Sequence, residues 1–379
     1  MLLSIQYLRG MAAILVLFAH MAYLLNGVYA KKDLGDFLFG QLSFGVDLFF
    51  VISGFVICLS TEKNESKRCL KYTIRRLFRL YPLLITCVAI YGVIAHSMHL
   101  NKFGEPTRYN TIKSMIPLHI DYTSPPPFFG YNILPPAWTL SYEVAFYVIF
   151  LAGLFISHRH RVLISSLTII FLMTIIQISL SGNFSVSVYR EFAYPEGIIR
   201  PIVAITSSPM LADFLYGMVA FAIHRNFTIS QCFLSRITLL SIFFFSLLIL
   251  FSGVMIPDGY SGPSFKIFHG PLNWGLIAFI MAISLSLYEK TFGIPFIKTL
   301  YTIGDISYSI YLTQWIWFRV LFGMDLFKVM HGLPKFSLAA ILIVGFSFIS
   351  YLFIERPFVS AARWLIKNFL NDKHDLKRS

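Results

Sequence analysis

Residues 5–25 read IQYLRGMAAILVLFAHMAYLL. The run is long enough to cross a bilayer as a helix, which takes about 20 residues at about 1.5 Å each. Two of its side chains do not belong in hydrocarbon, Arg9 and His20. They stand eleven positions apart, and at about 100° per residue the second returns to within about 20° of the first. One face therefore carries a cation near one end and an imidazole about 16 Å further along. An ionisable side chain inside a span costs about 2.5–3.5 kcal/mol or more, so such residues normally face a protein interior and mark function. Taken singly, each has a plainer account: Arg9 snorkelling to the headgroups, His20 hydrogen-bonding a neighbouring helix. In phase with each other, they point to a shared polar lining.

The other residues fit that start. Of 379 residues, 57% are hydrophobic and only 13% charged, which excludes a soluble domain of this size. The expected fold is all-α, a polytopic integral membrane helical bundle. Apolar runs predict ten spans, near 5–25, 39–60, 80–99, 134–156, 162–181, 209–224, 236–256, 271–288, 299–320 and 335–354. With the N-terminus inside, the inner segments hold nineteen Lys and Arg against ten in the outer ones, which puts both termini in the cytoplasm. The net charge of +13 then reports retained cytoplasmic cations rather than a nucleic-acid partner. The first run lacks a basic leader and a small-residue cleavage site, so it is expected to stay in the chain as a span. Cys58, Cys69, Cys87 and Cys232 show neither metal-ligand spacing nor a disulfide framework. Residues 1–357 are expected to form one ten-span domain. Residues 358–379 would be a basic cytoplasmic tail, amphipathic along Phe358 to Leu370 on the inner leaflet and then disordered.

Polar residues recur at membrane depth. The second span, FGVDLFFVISGF at 44–55, carries Asp47, with Ser53 and Gly54 two turns below it. Gly54 admits close approach of a backbone or a thin ligand, and plain helix packing is the competing account. The fourth span opens with PPAWTLSYE. Trp138 suits an interfacial anchor, while Glu143, with Ser141 beside it, sits deeper. His20, Asp47 and Glu143 all map to the outer half of the membrane. Carboxylate neighbours orient an imidazole and raise its basicity for general-base work. Before the third span, a loop ending RRLFRLYP supplies Arg75, Arg76 and Arg79. These either anchor the inner face or hold phosphate. The ninth span places Tyr308, Tyr311 and Trp315 on one face with Gln314 beside them, as bundle core or as a polar cavity lining. The long outer loop 100–133, rich in proline at Pro125, Pro126 and Pro127, is either a lid over the bundle or an ordinary structured loop.

These stretches together resemble the acyltransferase type 3 family, integral membrane enzymes that acylate extracytoplasmic polysaccharides and related acceptors. The resemblance rests on Arg9 with His20, on 44–55, on RRLFRLYP at 75–82, on WTLSYE at 138–143 and on DISYSIYL at 305–312. The opening IQYLRG is most similar to the exopolysaccharide acetyltransferase branch. The resemblance implies His20 as the essential acid–base residue, with Arg9 on the donor path. It implies Glu143 as the family's acid and Asp47 from the second-span motif as catalytic residues, one or the other orienting the imidazole, and Arg75, Arg76 and Arg79 as holders of the acyl-CoA phosphates. It gives Ser53, Gly54, Trp138, Ser141, Tyr308, Tyr311 and Gln314 places in the substrate path. Gln314 is a departure, because many relatives have histidine there, and glutamine cannot carry a proton at neutral pH. No fused hydrolase-like extracytoplasmic domain is expected.

The sequence therefore leads to the expectation of a bacterial inner-membrane O-acetyltransferase. It would move an acetyl group from cytoplasmic acetyl-CoA to a hydroxyl of an extracytoplasmic glycan or lipid-linked oligosaccharide, such as O-antigen or exopolysaccharide. Acetyl-CoA is its donor substrate, and no resident cofactor or metal is expected. The rival reading is an exporter of a lipid-linked sugar or small acylated compound, in which the same polar residues would form a substrate path. Against the rival stands the missing inverted repeat.

Overall fold

The computed structural model describes residues 2–97, 107–252 and 269–370. Among these the chain is helical and has no strand. Eight segments are long and apolar enough to cross a membrane: α1 (Leu3–Leu25), α2 (Leu34–Ser60), α3 (Arg68–Ser97), α4 (Pro135–Ile156), α5 (Arg161–Ser181), α8 (Phe233–Leu250), α9 (Trp274–Phe292) and α12 (Gly332–Leu370). A bent pair, α6 (Arg200–Thr206) and α7 (Leu211–Asn226), makes a ninth if it counts as one span. The protein is thus a polytopic helical membrane protein. Residues 98–106, 253–268 and 371–379, which hold parts of the expected outer loops, the end of the seventh expected span and the end of the expected tail, lie outside the described residues.

The sixth expected span, sixteen residues at 209–224, is found as the sixteen residues of α7, with Pro209 ending the short helix before it. Three expectations change. The ninth is broken at Ile306 into α10 (Lys298–Asp305) and α11 (Ser307–Gly323), each too short to span alone. The stretch RRLFRLYP is not loop: α3 begins at Arg68 and carries Arg75, Arg76 and Arg79 well inside thirty helical residues, with Pro82 accommodated in the interior. The Thr86 hydroxyl donates to the Pro82 carbonyl there. The amphipathic stretch after the tenth span is not separate either. It continues α12 through a π-turn at Tyr351–Glu355, the kind of distortion that takes up a local misfit such as Pro357.

The chain divides into two compact units. The first comprises Met1–Val56, Ser185–Tyr189 and Pro209–Gly345. In it, α1 lies against the break between α10 and α11. A Cβ on Gly304 would come within 2.3 Å of the Gln6 carbonyl oxygen, and one on Gly10 within 2.9 Å of Gly304 N. Two glycines therefore set this crossing distance. α2 and α7 cross in the same way at Gly54 and Gly217, where a Cβ on Gly217 would meet the Val51 carbonyl oxygen at 1.9 Å. Helix ends are closed by charge. Glu289 accepts from the backbone N–H groups of Leu3 and Ser4 at 2.8 Å each, capping the start of α1. The adjacent Lys290 donates to the carbonyls of His224, Arg225 and Phe227, capping the end of α7.

The second unit comprises Ile57–Phe184, Arg190–Ser208 and Phe346–Ser379. Here α4 runs from the loop 107–134 to a cationic end, where Arg68 Nε donates to the Leu154 carbonyl. The proline-rich loop is a structured loop tied down by buried polar groups. Asn132 donates to the Leu118 carbonyl, the Ser114 hydroxyl accepts from Ile133 N, and the Tyr142 hydroxyl donates to the Pro127 carbonyl at 2.8 Å. At its centre sits His119, fully buried, with Nδ1 3.2 Å from both the Tyr122 hydroxyl and Ser141 Oγ. Its ring packs edge-on against Tyr122, Phe129 and Tyr142. Burial, helped by the Lys113 charge, pushes the imidazole down to about 3. A histidine so depressed is neutral when folded and binds a proton more readily when the loop opens. The stabilisation is therefore complete above pH 6.5 and lost as pH falls toward 3. The cost between pH 7 and pH 5 is about 2 kcal/mol. Hydrogen exchange of residues 107–134 should show protection falling by that amount, and His119→Gln should abolish the pH dependence; equal protection at both pH values in the wild type would refute the role.

Candidate active site

In the first unit, α1 presents its polar face to α11. Arg9 Nη2 donates to the Ser307 hydroxyl at 3.2 Å and Nη1 to Gln6 Oε1 at 3.3 Å. Gln6 in turn donates to Asp305 Oδ1 at 2.6 Å, so the arginine is held at the α10–α11 break by a buried network. Further along the same face, His20 Nδ1 lies 3.3 Å from Gln314 Oε1 and its ring stands edge-on to Trp315. Arg9 and His20 thus meet Ser307 and Gln314 in the same order, which makes α1 and α11 parallel. The in-phase pair of the first span and the DISYSIYL segment form one face-to-face arrangement.

Gln314 sets the state of the imidazole. Its Nε2 donates to the Tyr311 carbonyl at 2.8 Å. A carbonyl only accepts, so the amide NH₂ must point there and Oε1 must face His20. His20 Nδ1 then carries the proton, and Nε2 keeps the lone pair a general base needs. Gln314 therefore serves as a tautomer-fixing acceptor for His20.

Asp47 is fully buried, and both its oxygens are engaged: Oδ2 lies 2.6 Å from His269 Nδ1 and Oδ1 accepts from Gly270 N at 2.8 Å. The carboxylate-oriented histidine of this unit is therefore His269, while the partner of His20 is an amide. Sequence reasoning missed His269; its one signal was a histidine beside glycine and proline just before the eighth expected span. It also missed Asp213, a buried acid that fits only because Gly275 has no Cβ, which would lie 2.0 Å from Asp213 Oδ1. Phe49 meets Tyr311 edge-on at 5.6 Å, joining the second-span motif to α11. Gly54 is explained by its crossing with Gly217, and Ser53 and Tyr308 are half-buried in the same unit.

The remaining residues belong to the second unit. Arg75 pairs with Glu65 at 2.8 Å, Arg79 with the buried Glu355, and Arg76 donates to the Ser60 hydroxyl at 2.7 Å. The Arg76 guanidinium also lies over the rings of Tyr72 and Tyr147, 5.6 and 5.3 Å from their centroids. Tyr147 donates to Glu143, one turn earlier on α4. The structure therefore joins Glu143 to the arginine group through one tyrosine. The first half of WTLSYE serves the loop instead: Trp138 packs on Phe128 at 4.9 Å, and Ser141 touches His119.

Gln314→Leu should lower turnover about 10–100-fold, the scale on which removing the orienting partner of a metal-ligating histidine acts. Gln314→Glu, which keeps an acceptor facing His20 Nδ1, should retain activity. Wild-type kinetics in Gln314→Leu would remove the amide from the mechanism.

Comparison with known proteins agrees with the resemblance read from the motifs. BcsY of Komagataeibacter xylinus is 25% identical over 367 residues, covering 93% of this chain and 82% of its own length. The exopolysaccharide production protein ExoZ of Rhizobium meliloti (strain 1021) is 23% identical over 329 residues, 84% of this chain and 90% of its own. The peptidoglycan O-acetyltransferase OatA of Listeria monocytogenes is 33% identical over 171 residues, 40% of this chain and 24% of its own. No solved structure matches. The family model described as an acyltransferase domain matches residues 2–353, nearly the whole chain, and the protein belongs to the acyltransferase type 3 family of membrane acyltransferases.

Proposed function

We propose that this acyltransferase takes an acetyl group from cytoplasmic acetyl-CoA and places it on a hydroxyl of an extracytoplasmic glycan or lipid-linked oligosaccharide. The bacterial inner membrane is its proposed location, with both termini in the cytoplasm. The observation that carries the reading is the Gln314-fixed imidazole of His20, in phase with Arg9 on α1. His20 Nε2 removes the proton of the acceptor hydroxyl as its oxygen attacks the thioester carbonyl. The tetrahedral intermediate collapses with loss of the CoA thiolate, which takes back the proton that His20 Nε2 had removed, leaving the imidazole neutral for the next turnover. Arg75, Arg76 and Arg79 hold the CoA phosphates. Their present partners, Glu65, the Ser60 hydroxyl and Glu355, would act as placeholders for those oxygens. Arg9 guides the donor, and Glu143 biases the arginine group through Tyr147.

The Asp47–His269 pair supports a second reading, in which His269 is the base and His20 a binding residue. The test is acetyl transfer by purified protein in nanodiscs, from labelled acetyl-CoA to lipid-linked glycans extracted from the source cells. His20→Ala should cost about 10²–10⁴-fold in rate with normal membrane insertion, and His269→Asn much less. The reverse ranking would transfer the base to His269. Export of chemically unchanged glycan without label transfer would favour the exporter.

A further inference from the structure

The second unit contains a cavity of about 320 Å³ between the loop after α3 and the loop before α6. That volume lies at the lower end of the range for small-molecule sites, about 300–1,000 Å³. Aromatic rings dominate its walls: Tyr122 from one loop, Phe192 and Tyr194 from the other. They are not loose surface rings. Tyr122 stacks at a tilt on the fully buried Phe129 at 5.4 Å, Tyr194 meets Phe129 edge-on at 5.8 Å, and the Arg190 guanidinium backs Phe192 at 5.1 Å. Burial pushes both tyrosine hydroxyls up to about 12, so they stay neutral at the mouth of the cavity.

The polar groups of the cavity are of both signs and are not spent on each other. Glu191 and Arg200 line the same wall, and among the described residues no ion pair joins them. Among the described residues the Glu191 side chain has no hydrogen-bond partner, and the one side-chain bond of Arg200 runs from Nε to the Pro195 carbonyl. Thr123 and Ser124 also line the cavity, and the adjacent Asp121 holds them, accepting from Thr123 N, the Thr123 hydroxyl and the Ser124 hydroxyl at 2.8, 2.6 and 2.8 Å. Such a turn holds two hydroxyls in place before any ligand arrives. The chain also holds Phe129 and Tyr131 at φ of +45° and +63°, a strain of about 1–3 kcal/mol each that persists where surrounding structure dictates it.

Flat apolar rings beside unpaired charged hydrogen-bonding groups suit one chemistry. A pyranose offers an apolar C–H face and a rim of vicinal hydroxyls that both donate and accept. An anion or an acyl chain would use only half of this cavity, because Glu191 repels the first and Arg200 disfavours the second. We propose that this cavity is a subsite that binds one pyranose ring of the acceptor glycan, stacked on Phe192 or Tyr194 and hydrogen-bonded by Glu191 and Arg200. The proposal rests on the acyl-transfer reading for the identity of the glycan. The placement supports it: α4, about 33 Å long, separates the cavity from the Arg68 end of the unit, and on the proposed orientation both loops face outside.

The probe is short oligosaccharide cut from the surface polysaccharide of the source cells after base-catalysed removal of its O-acetyl groups. Saturation-transfer NMR on the full chain in nanodiscs should show transfer to sugar ring protons. Phe192→Ala and Glu191→Gln, both at half-buried or exposed positions that leave the loop fold intact, should each weaken binding about tenfold, the scale of one hydrogen bond to a charged group. The KM for the oligosaccharide should rise by the same factor, with the KM for acetyl-CoA unchanged. No saturation transfer to the wild type, or unchanged affinity in both variants, overturns the subsite. Binding that is lost in the variants, in a wild type that transfers no acetyl group, keeps the subsite and discards the acyl-transfer reading.

Discussion

A polar side chain inside a membrane-spanning helix has no water to fall back on, so it must find its partner on another helix. In the first unit that constraint pairs α1 with α11. Arg9 and His20 are each satisfied by the helix they face, through Ser307 and Gln314. The same requirement explains the break at Ile306: side chains from α1 reach the polar groups where the helix is interrupted, and Gly10 and Gly304 let the backbones come close enough. Function and packing draw on the same few residues here. A larger side chain at Gly304 would separate the helices and strand the arginine at once.

The second unit solves a different problem. Its arginines lie inside α3 rather than in the loop before it, which gives each a definite protein partner instead of bulk water. Pairing with Glu65 or the buried Glu355 keeps each guanidinium in place on the helix. Its opposite end carries the structured loop around the buried His119 and the aromatic-lined cavity.

Much of this was legible in the sequence. Helix content, the spans and the phase relation of Arg9 and His20 follow from apolar run length and a 3.6-residue period. The motifs that carry the family resemblance are the ones the structure uses at the α1–α11 face and at the α3–α4 arginine group. What was not legible is pairing. Nothing in the spacing tells that Asp47 is taken by His269, from a segment more than two hundred positions away, or that Gln314 rather than a carboxylate meets His20. The helical state of Arg75 to Arg79 was missed because charge argues for loop at a membrane edge, whereas buried partners let the helix continue. His119 was invisible for a like reason: it lies in a proline-rich loop, where burial arises from tertiary packing and not from a local pattern.

Glu289 and Lys290, neighbours in the chain at the end of α9, close two helix ends of opposite sign. A helix start binds the carboxylate, and a helix end binds the ammonium. The dipeptide thus behaves as a compass needle. It is satisfied only if α1 departs from, and α7 arrives at, the same level of the bilayer. Loop charge biases how the whole chain enters the membrane, but it leaves the relative sense of individual helices unchecked. This pair supplies that check inside the folded protein, and a helix inserted the wrong way round would meet it with like charge.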